Sequence, residues 1–444
     1  MKQKDTFFST VCALAIPVAL QSMLQSSFSI VDQVMIGQLG SVSIAGVGLA
    51  GKFASIYSVL ISAIGAAAGI QIAQYLGQED SAAVRRSFWV NLLLGCGVAV
   101  LFAAGCMLEP QQIMGLYTQD AATRQAAAEY LAVIALGFLP TAGTTLCAAL
   151  FRCAEKAKLP LYASIVSALM NTGLNYLLIF GKGGFPALGA VGAAWATILS
   201  QFGGMLILCL LLPRCGIALH GGKADRAGHF AWGQYAAMLV PMLVCEVLWS
   251  IGENVYAVIY GHLGTQSTAA MTLINPVQGI VIGALCGLSQ AAGVLIGKRL
   301  GRGEYDEAYA ESKKLIWYGT VGSALLSVLV VLFSGLYVQI YNVEPQVRLL
   351  TRQILFAYAL VAPFKVLNMI IGGGILRCGG KTRIAMVIDI IGTWVFGVPL
   401  GLISAFVLGL PIPAVYFLLS LEEAIRVLIS LWVFRKKIWM QRFH

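Results

Sequence analysis

Charge is what this sequence has least of. Asp, Glu, Lys and Arg together supply 11% of its 444 residues, less than half of the about 25% usual in soluble domains. Apolar residues supply 59%, and the mean hydropathy is +0.84. No single soluble core could hide that much apolar surface, so the chain is an integral membrane protein. Histidine is scarce too. The four present, His220, His229, His262 and His444, are expected in loops or the tail. Neither His-Glu-x-x-His nor a pair of catalytic aspartates is found, which argues against an intramembrane enzyme. The ten cysteines stand singly, with no Cys-x-x-Cys, and read as small buried side chains. No small-residue cleavage site follows a short apolar stretch after Met1-Lys2-Gln3-Lys4, so the first helix is expected in the mature protein.

What the sequence does have is internal duplication. Pro17 returns as Pro241, and Ile36-Gly-Gln-Leu-Gly40 returns as Tyr260-Gly-His-Leu-Gly264, 224 positions on. Tyr75-Leu-Gly77 returns as Arg299-Leu-Gly301. Phe151-Arg-Cys-Ala-Glu-Lys156 returns as Leu376-Arg-Cys-Gly-Gly-Lys381, at an offset of 225. Four echoes in order at nearly one spacing mark a tandem repeat, a common plan among secondary transporters.

A spanning helix needs about 20 mostly apolar residues. Twelve such segments are expected near 11–36, 43–76, 88–108, 126–150, 160–181, 187–212, 235–261, 268–297, 315–340, 350–375, 384–408 and 412–434. The fold class is therefore all-α, twelve transmembrane helices in two pseudo-symmetric six-helix lobes. The amino-terminal lobe covers 1–213, a cytoplasmic linker 214–234, the carboxy-terminal lobe 235–434 and a basic cytoplasmic tail 435–444. Alternate connections hold 22 basic residues, among them Arg85, Arg86, Lys298, Arg299, Arg302, Arg377, Lys381 and Arg383. The opposite side holds four, Arg124, Lys182, Arg348 and Arg352. The positive-inside bias then places both termini in the cytoplasm of a multi-pass cell-membrane protein, expected in a bacterial inner membrane. It also accounts for the net charge of +10 through the anionic inner leaflet, with no nucleic acid.

An ionisable residue inside the membrane costs about 2.5–3.5 kcal/mol and needs a partner or a watery cavity. Asp32 lies about 22 Å beyond Pro17 along a rising helix, hence in the outer half of the membrane. Asn171 and Asn175 share a face one turn apart at similar height, and Thr197 descends to meet them. This set of oxygens suits Na+ or a titrating proton; its plain alternative is helix-to-helix hydrogen bonding. In the second half, Glu246, Glu253, Lys365 and Asp389 form a polar cluster in which Glu246 and Lys365 are expected to pair. Asp389 is expected to anchor a helix end on Arg377 or Arg383. Glu422 and Arg426, one turn apart, could satisfy each other. Met23, Tyr57, Trp249 and Tyr256, with Met170, Met238, Met242 and Met271, could line an adaptable cavity or simply pack helices. The repeat maps Asp32 to Tyr256, Ser22 to Glu246 and Ser164 to Asp389, so the lobes share a frame while their charges differ.

These residues resemble the multidrug and toxic compound extrusion (MATE) family over essentially the full chain. The matching stretches are Pro17-x-x-x-Gln21 and Val31-Asp32-x-x-x-Ile36-Gly37-x-Leu39-Gly40. To them add Asn171-x-x-x-Asn175-Tyr-x-x-Ile-Phe-Gly181, Gly189-x-x-Gly-Ala-Ala-x-Ala-Thr197 and Leu376-Arg-x-Gly-Gly-x-Thr382. The resemblance implies a monomeric exporter without cofactor, coupling efflux of drugs or toxic organic cations to H+ or Na+ entry. It implies the coupling site at Asp32, Asn171, Asn175 and Thr197, a bound Na+ falling at Asp32. Gln21, in the same motif, joins Met23, Tyr57, Trp249 and Tyr256 as cavity candidates, and Pro17 is the hinge, lacking a backbone hydrogen bond. Some relatives carry aspartate where this chain has Asn175, which leaves one formal charge at the site. Trp249 stands where others carry a carboxylate. The rival is a flippase for lipid-linked saccharides, which would favour an arginine-rich cavity; an ion channel would need a filter sequence that is absent.

Overall fold

A computed structural model of the chain describes all residues except 1, 40, 119, 218–230, 341–343 and 442–444. Most of the expected linker therefore lies outside the described residues, as do His220, His229, His444 and the last three positions of the tail. The described residues are helical throughout, with no strand. The helices are α1 (Lys2–Gly37), α2 (Ser41–Gly77), α3 (Ser81–Leu108), α4 (Pro110–Gly115), α5 (Ala121–Ile134), α6 (Phe138–Cys153), α7 (Lys158–Phe180) and α8 (Gly189–Leu211). They continue with α9 (Trp232–His262), α10 (Thr265–Arg302), α11 (Tyr305–Gln339), α12 (Pro345–Asn368), α13 (Thr382–Ile390), α14 (Val398–Leu402) and α15 (Ile412–Arg435). His262 is the last residue of α9 rather than a loop residue, with its Nδ1 2.9 Å from the Val258 carbonyl.

Among the described residues, eleven stretches are long and apolar enough to cross a membrane. The twelfth span is α15, which composition alone passes over because it carries Glu422, Glu423 and Arg426. All three are buried, at 5%, 6% and 3% exposure. Large apolar side chains point outward instead: Leu93, Leu101, Leu332 and Leu428 are each more than half exposed. That is the arrangement lipid demands, because hydrocarbon gives no reason to bury leucine and every reason to bury charge. Short caps set the turns. Asp80 accepts from the backbone N–H groups of Ala82 and Ala83 and starts α3, and Asp120 does the same for α5 through Thr123.

Contacts divide the chain into two compact units. One comprises Met1–Ala19, Ala73–Glu79 and Ala231–His444; the other comprises Leu20–Ile72 and Asp80–Phe230. The division departs from the repeat boundary in one respect: the start of α1 and the end of α2 pack with the carboxy-terminal half. α1 runs helical through Pro17 and changes unit between Ala19 and Leu20, just beyond the proline.

The tenth and eleventh spans are less regular than their apolar runs suggest. After Asn368 the chain widens into π turns over Met369–Leu376, which contain Gly372-Gly373-Gly374. Wide turns recur at Ile391–Gly397 and Ile403–Val407, on either side of α14. Such π segments shift helical register and often mark functional regions.

Candidate functional site

In the amino-terminal unit, α1, α7 and α8 bring Asp32, Asn171, Asn175 and Thr197 together, as their spacing predicts. Asn171 and Asn175 are buried, at 8% and 1% exposure, and Asp32 is half-buried. Asn175 Nδ2 donates to Asp32 Oδ1 at 2.5 Å and to Asn171 Oδ1 at 3.2 Å. Asn171 Nδ2 donates to Thr197 Oγ1 at 3.3 Å, and that hydroxyl gives its own proton to the Ala193 carbonyl at 3.0 Å. Each link fixes the next. The Ala193 carbonyl commits the threonine proton, the threonine oxygen orients the Asn171 amide, and Asn171 then turns the Asn175 amide hydrogens toward the carboxylate. The row is polarised to solvate a charged Asp32. One acceptor is left over: Asn175 Oδ1 is buried without a partner. Tyr130 on α5, also buried, lies within electrostatic reach of Asp32, a neighbour no spacing argument identifies.

The other amino-terminal candidates fall elsewhere. Gln21 Nε2 donates to Ser164 Oγ at 2.8 Å and ties α1 to α7. Tyr57 is core: it is 1% exposed, stacks on Phe138 with centroids 4.4 Å apart, and donates to the Phe138 carbonyl. α2 has apolar residues on every side around Tyr57, so nothing in its sequence tells which face that tyrosine takes. Met23 is half-buried and lines neither of the cavities described below.

The carboxy-terminal unit holds two cavities, of about 610 and 320 Å³, which share Glu253, Asn275, Gln278, Lys365 and Glu423 in their walls. All four members of the expected polar cluster line the larger one, with Trp249; Tyr256 lines the smaller. The expected Glu246–Lys365 pair is not formed. Glu246 pairs with Arg377 at 3.3 Å, and the acids acting on Lys365 are led by Glu423 and Glu253. The reason is the π segment. Its wide turns climb less per residue than an α-helix, so Arg377, expected in a loop, stays level with Glu246.

From Arg377 a chain of charge runs through the unit. Arg377 Nη2 reaches Asp389 Oδ2 at 3.5 Å, and Asp389 Oδ1 lies 3.9 Å from Arg426 Nη1. Arg426 in turn meets Glu422 at 3.5 Å, Glu423 at 3.7 Å and the Thr393 hydroxyl. Tyr256 Oη donates to Glu422 at 2.6 Å, and Asn368 Nδ2 donates to Glu423 at 3.0 Å. Cys245 Sγ donates to Asp389 at 2.8 Å. α15 supplies the centre of this network. Pairing of Glu422 with Arg426 along one helix is visible in the sequence; the reach of Arg426 to a second span is not.

The repeat relates the two halves at this level as well. Offsets of 224 and 225 carry Gln21 and Ser164 onto Cys245 and Asp389, and Asp32 and Thr197 onto Tyr256 and Glu422. The Gln21–Ser164 bond thus has its counterpart in Cys245–Asp389. Acid and hydroxyl have exchanged helices: the acid sits on α1 in one half and on α15 in the other. Among the described residues no group of three His, Cys, Asp or Glu side chains is placed to hold a metal ion.

The family model MatE matches residues 17–177 and 241–403, one match in each half of the repeat. The chain is 26% identical to the Thermotoga maritima "Probable multidrug resistance protein NorM" over 408 residues, covering 89% of this chain and 86% of that protein. It is 25% identical to the mouse "Multidrug and toxin extrusion protein 2", covering 90% of this chain and 69% of the relative. The fold matches the crystal structure of the Vibrio cholerae MATE transporter VcmN in the bent form, with a TM-score of 0.88 at 17% identity, covering 99% of this chain and 100% of that one.

Proposed function

Because the chain belongs to the MatE family, we propose that it is a secondary active efflux transporter that exchanges amphipathic, often cationic compounds for H+ by alternating access. The coupling residue in this reading is Asp32, and the observation that carries it is the polarised amide row. Asn175 presents an N–H group to the acid, and Asn171, itself oriented by Thr197, holds that amide in place through its oxygen, an arrangement that serves a carboxylate exchanging a proton. Na+ binding would require the amides to turn their oxygens inward, with one carboxylate to balance the ion.

Protonation of Asp32 replaces an acceptor with a donor directly beneath Asn175. The nearest unfilled acceptor is Asn175 Oδ1, which the new O–H reaches only if the amide turns or α1 shifts. α1 can shift at Pro17, where a backbone hydrogen bond is missing. Neutralising the acid also removes an attraction for a cationic cargo, so proton and cargo weaken each other's binding reciprocally, by about 1–3 kcal/mol for a typical coupled pair. The protein then returns with its proton to the other side and releases it there. On this reading the membrane is a bacterial inner membrane and both termini are cytoplasmic.

The test is dye transport in everted vesicles. Asp32→Asn keeps the size and one acceptor oxygen but cannot titrate, so it should abolish gradient-driven transport while the purified variant remains folded. Normal transport by that variant would reject the assignment.

A further inference from the structure

At the end of the carboxy-terminal unit that bears Arg299, Arg302 and Lys381, helices from the two repeats meet backbone to backbone. A Cβ on Gly77 would collide with the Lys298 carbonyl, and a Cβ on Gly301 with the Gln74 carbonyl. These are one contact seen twice, since the 224-residue offset carries Gln74 onto Lys298 and Gly77 onto Gly301. α2 and α10 therefore cross reciprocally, each supplying the glycine that admits the other's carbonyl. Gly287 of α10 admits the Ala15 carbonyl of α1 in the same manner.

One side chain is built into this crossing. Gln74 is fully buried, and its Nε2 donates to the Cys378 carbonyl at 2.7 Å and to the Gln441 carbonyl at 3.1 Å. The second acceptor belongs to the end of the chain, expected as a solvated basic tail. Most of its described residues are exposed, but Trp439 anchors it. Trp439 is 0% exposed and stacks on Phe434 at 5.8 Å, which stacks on Tyr309 at 4.8 Å. Lys437 lies 4.8 Å over the same tyrosine ring. Gly379 leaves room for the Trp439 carbonyl, where a Cβ would collide. The tail is thus a strap drawn across the loop that follows the π segment, fastened to α2 by Gln74.

The strength of this closure is unevenly spread. The glycine crossing rests on packing and weak Cα–H contacts. Its carbonyls lose little when the helices part, because Gln74 O already accepts from the Gln78 N–H at 3.0 Å within the helical ladder. The Gln74 amide is different: parting would take its hydrogens from a buried acceptor, the Cys378 carbonyl, and a part-buried one, the Gln441 carbonyl. We propose that Gln74 and the Lys436–Gln441 strap are a latch that holds this end shut, and that Gln74 must release the Cys378 and Gln441 carbonyls before cargo can enter from this side. The inference rests on the alternating-access reading but not on the identity of the coupling ion.

Cys378 is the natural probe, since it is 0% exposed and beside the crossing. Purified full-length protein in lipid is treated with N-ethylmaleimide, and modification of the Cys378 peptide is timed by mass spectrometry. Gln74→Leu should speed that modification about tenfold, the effect of losing one buried and one part-buried hydrogen bond of ordinary strength, with other buried cysteines such as Cys147 unchanged. An unchanged rate at Cys378 would overturn the latch. A second measurement uses Ala73→Cys with Gly297→Cys in a Cys378→Ser background, because a Cβ on Gly297 lies 3.1 Å from that of Ala73. Oxidation should stop dye transport and reduction restore it; full transport while cross-linked would show a fixed pivot and overturn the proposal. Both outcomes are separable from failure at Asp32, which would stop coupling while leaving the labelling of Cys378 and its response to Gln74→Leu intact.

Discussion

A carboxylate beside amides can be solvated by their N–H groups or can share a cation with their oxygens, and here the Asn175 N–H faces Asp32. Two single-residue consequences follow from that polarity. Thr197→Val keeps the shape and removes the hydroxyl that orients Asn171, which costs about 1 kcal/mol for one buried hydrogen bond. The expected result is a roughly fivefold weaker dependence of transport on external proton concentration, restored by Thr197→Ser, in a pH titration of dye efflux. Asn175→Asp places a second carboxylate at the site, and transport should then become stimulated by Na+, which the parent should ignore. In the carboxy-terminal unit, Arg377→Met leaves Glu246 and Asp389 facing each other across an apolar gap, at a cost of about 3–5 kcal/mol for a broken buried pair. Adding Glu246→Gln should recover part of the lost thermal stability; no recovery would mean that the two side chains act independently. The amino-terminal residues were legible because an i, i+4 pair of asparagines fixes one helix face and a uniform rise fixes depth. The partner of Glu246 was not legible, since it depended on π turns that no apolar run reveals.

At the scale of elements, α1 is a single helix serving two compact units. Its first part packs with the carboxy-terminal half, its later part carries Gln21 and Asp32 to α7, and Pro17 stands just before the changeover. Proline inside a helix costs about 3 kcal/mol relative to other residues, so Pro17→Ala should raise the melting temperature and lower the turnover number together. A variant that gained stability and kept full turnover would show that bending at Pro17 is not needed. α15 teaches a different lesson. Its charges fail a composition test for membrane helices, yet they are the best buried in the carboxy-terminal unit, because the helix turns them toward protein and leaves Leu428 and Trp432 outward. α2 shows where sequence runs out: with apolar residues on every side, the packing of Tyr57 on Phe138 is set by α3, α5 and α6 rather than by any pattern of its own.

For the whole molecule, the duplicated frame was readable from four echoes, and the structure carries the duplication into hydrogen bonds and into the crossing of α2 and α10. The ends of α1 and α2 packing with the opposite repeat was not readable, since it comes from glycine-to-carbonyl contacts that only a folded pair of helices creates. In the orientation proposed from the 22-to-4 division of basic residues, the connection that bears Glu79 is cytoplasmic. A cysteine at Glu79 should therefore resist a membrane-impermeant thiol reagent in intact cells, while one at Lys182 should react. The most direct measurement is dye efflux from proteoliposomes under an imposed pH gradient with Na+ absent, and then under an imposed Na+ gradient at uniform pH. Proton exchange at Asp32 requires transport in the first condition, its loss in Asp32→Asn, and none in the second. Transport driven by Na+ alone, or unaffected by Asp32→Asn, would contradict it.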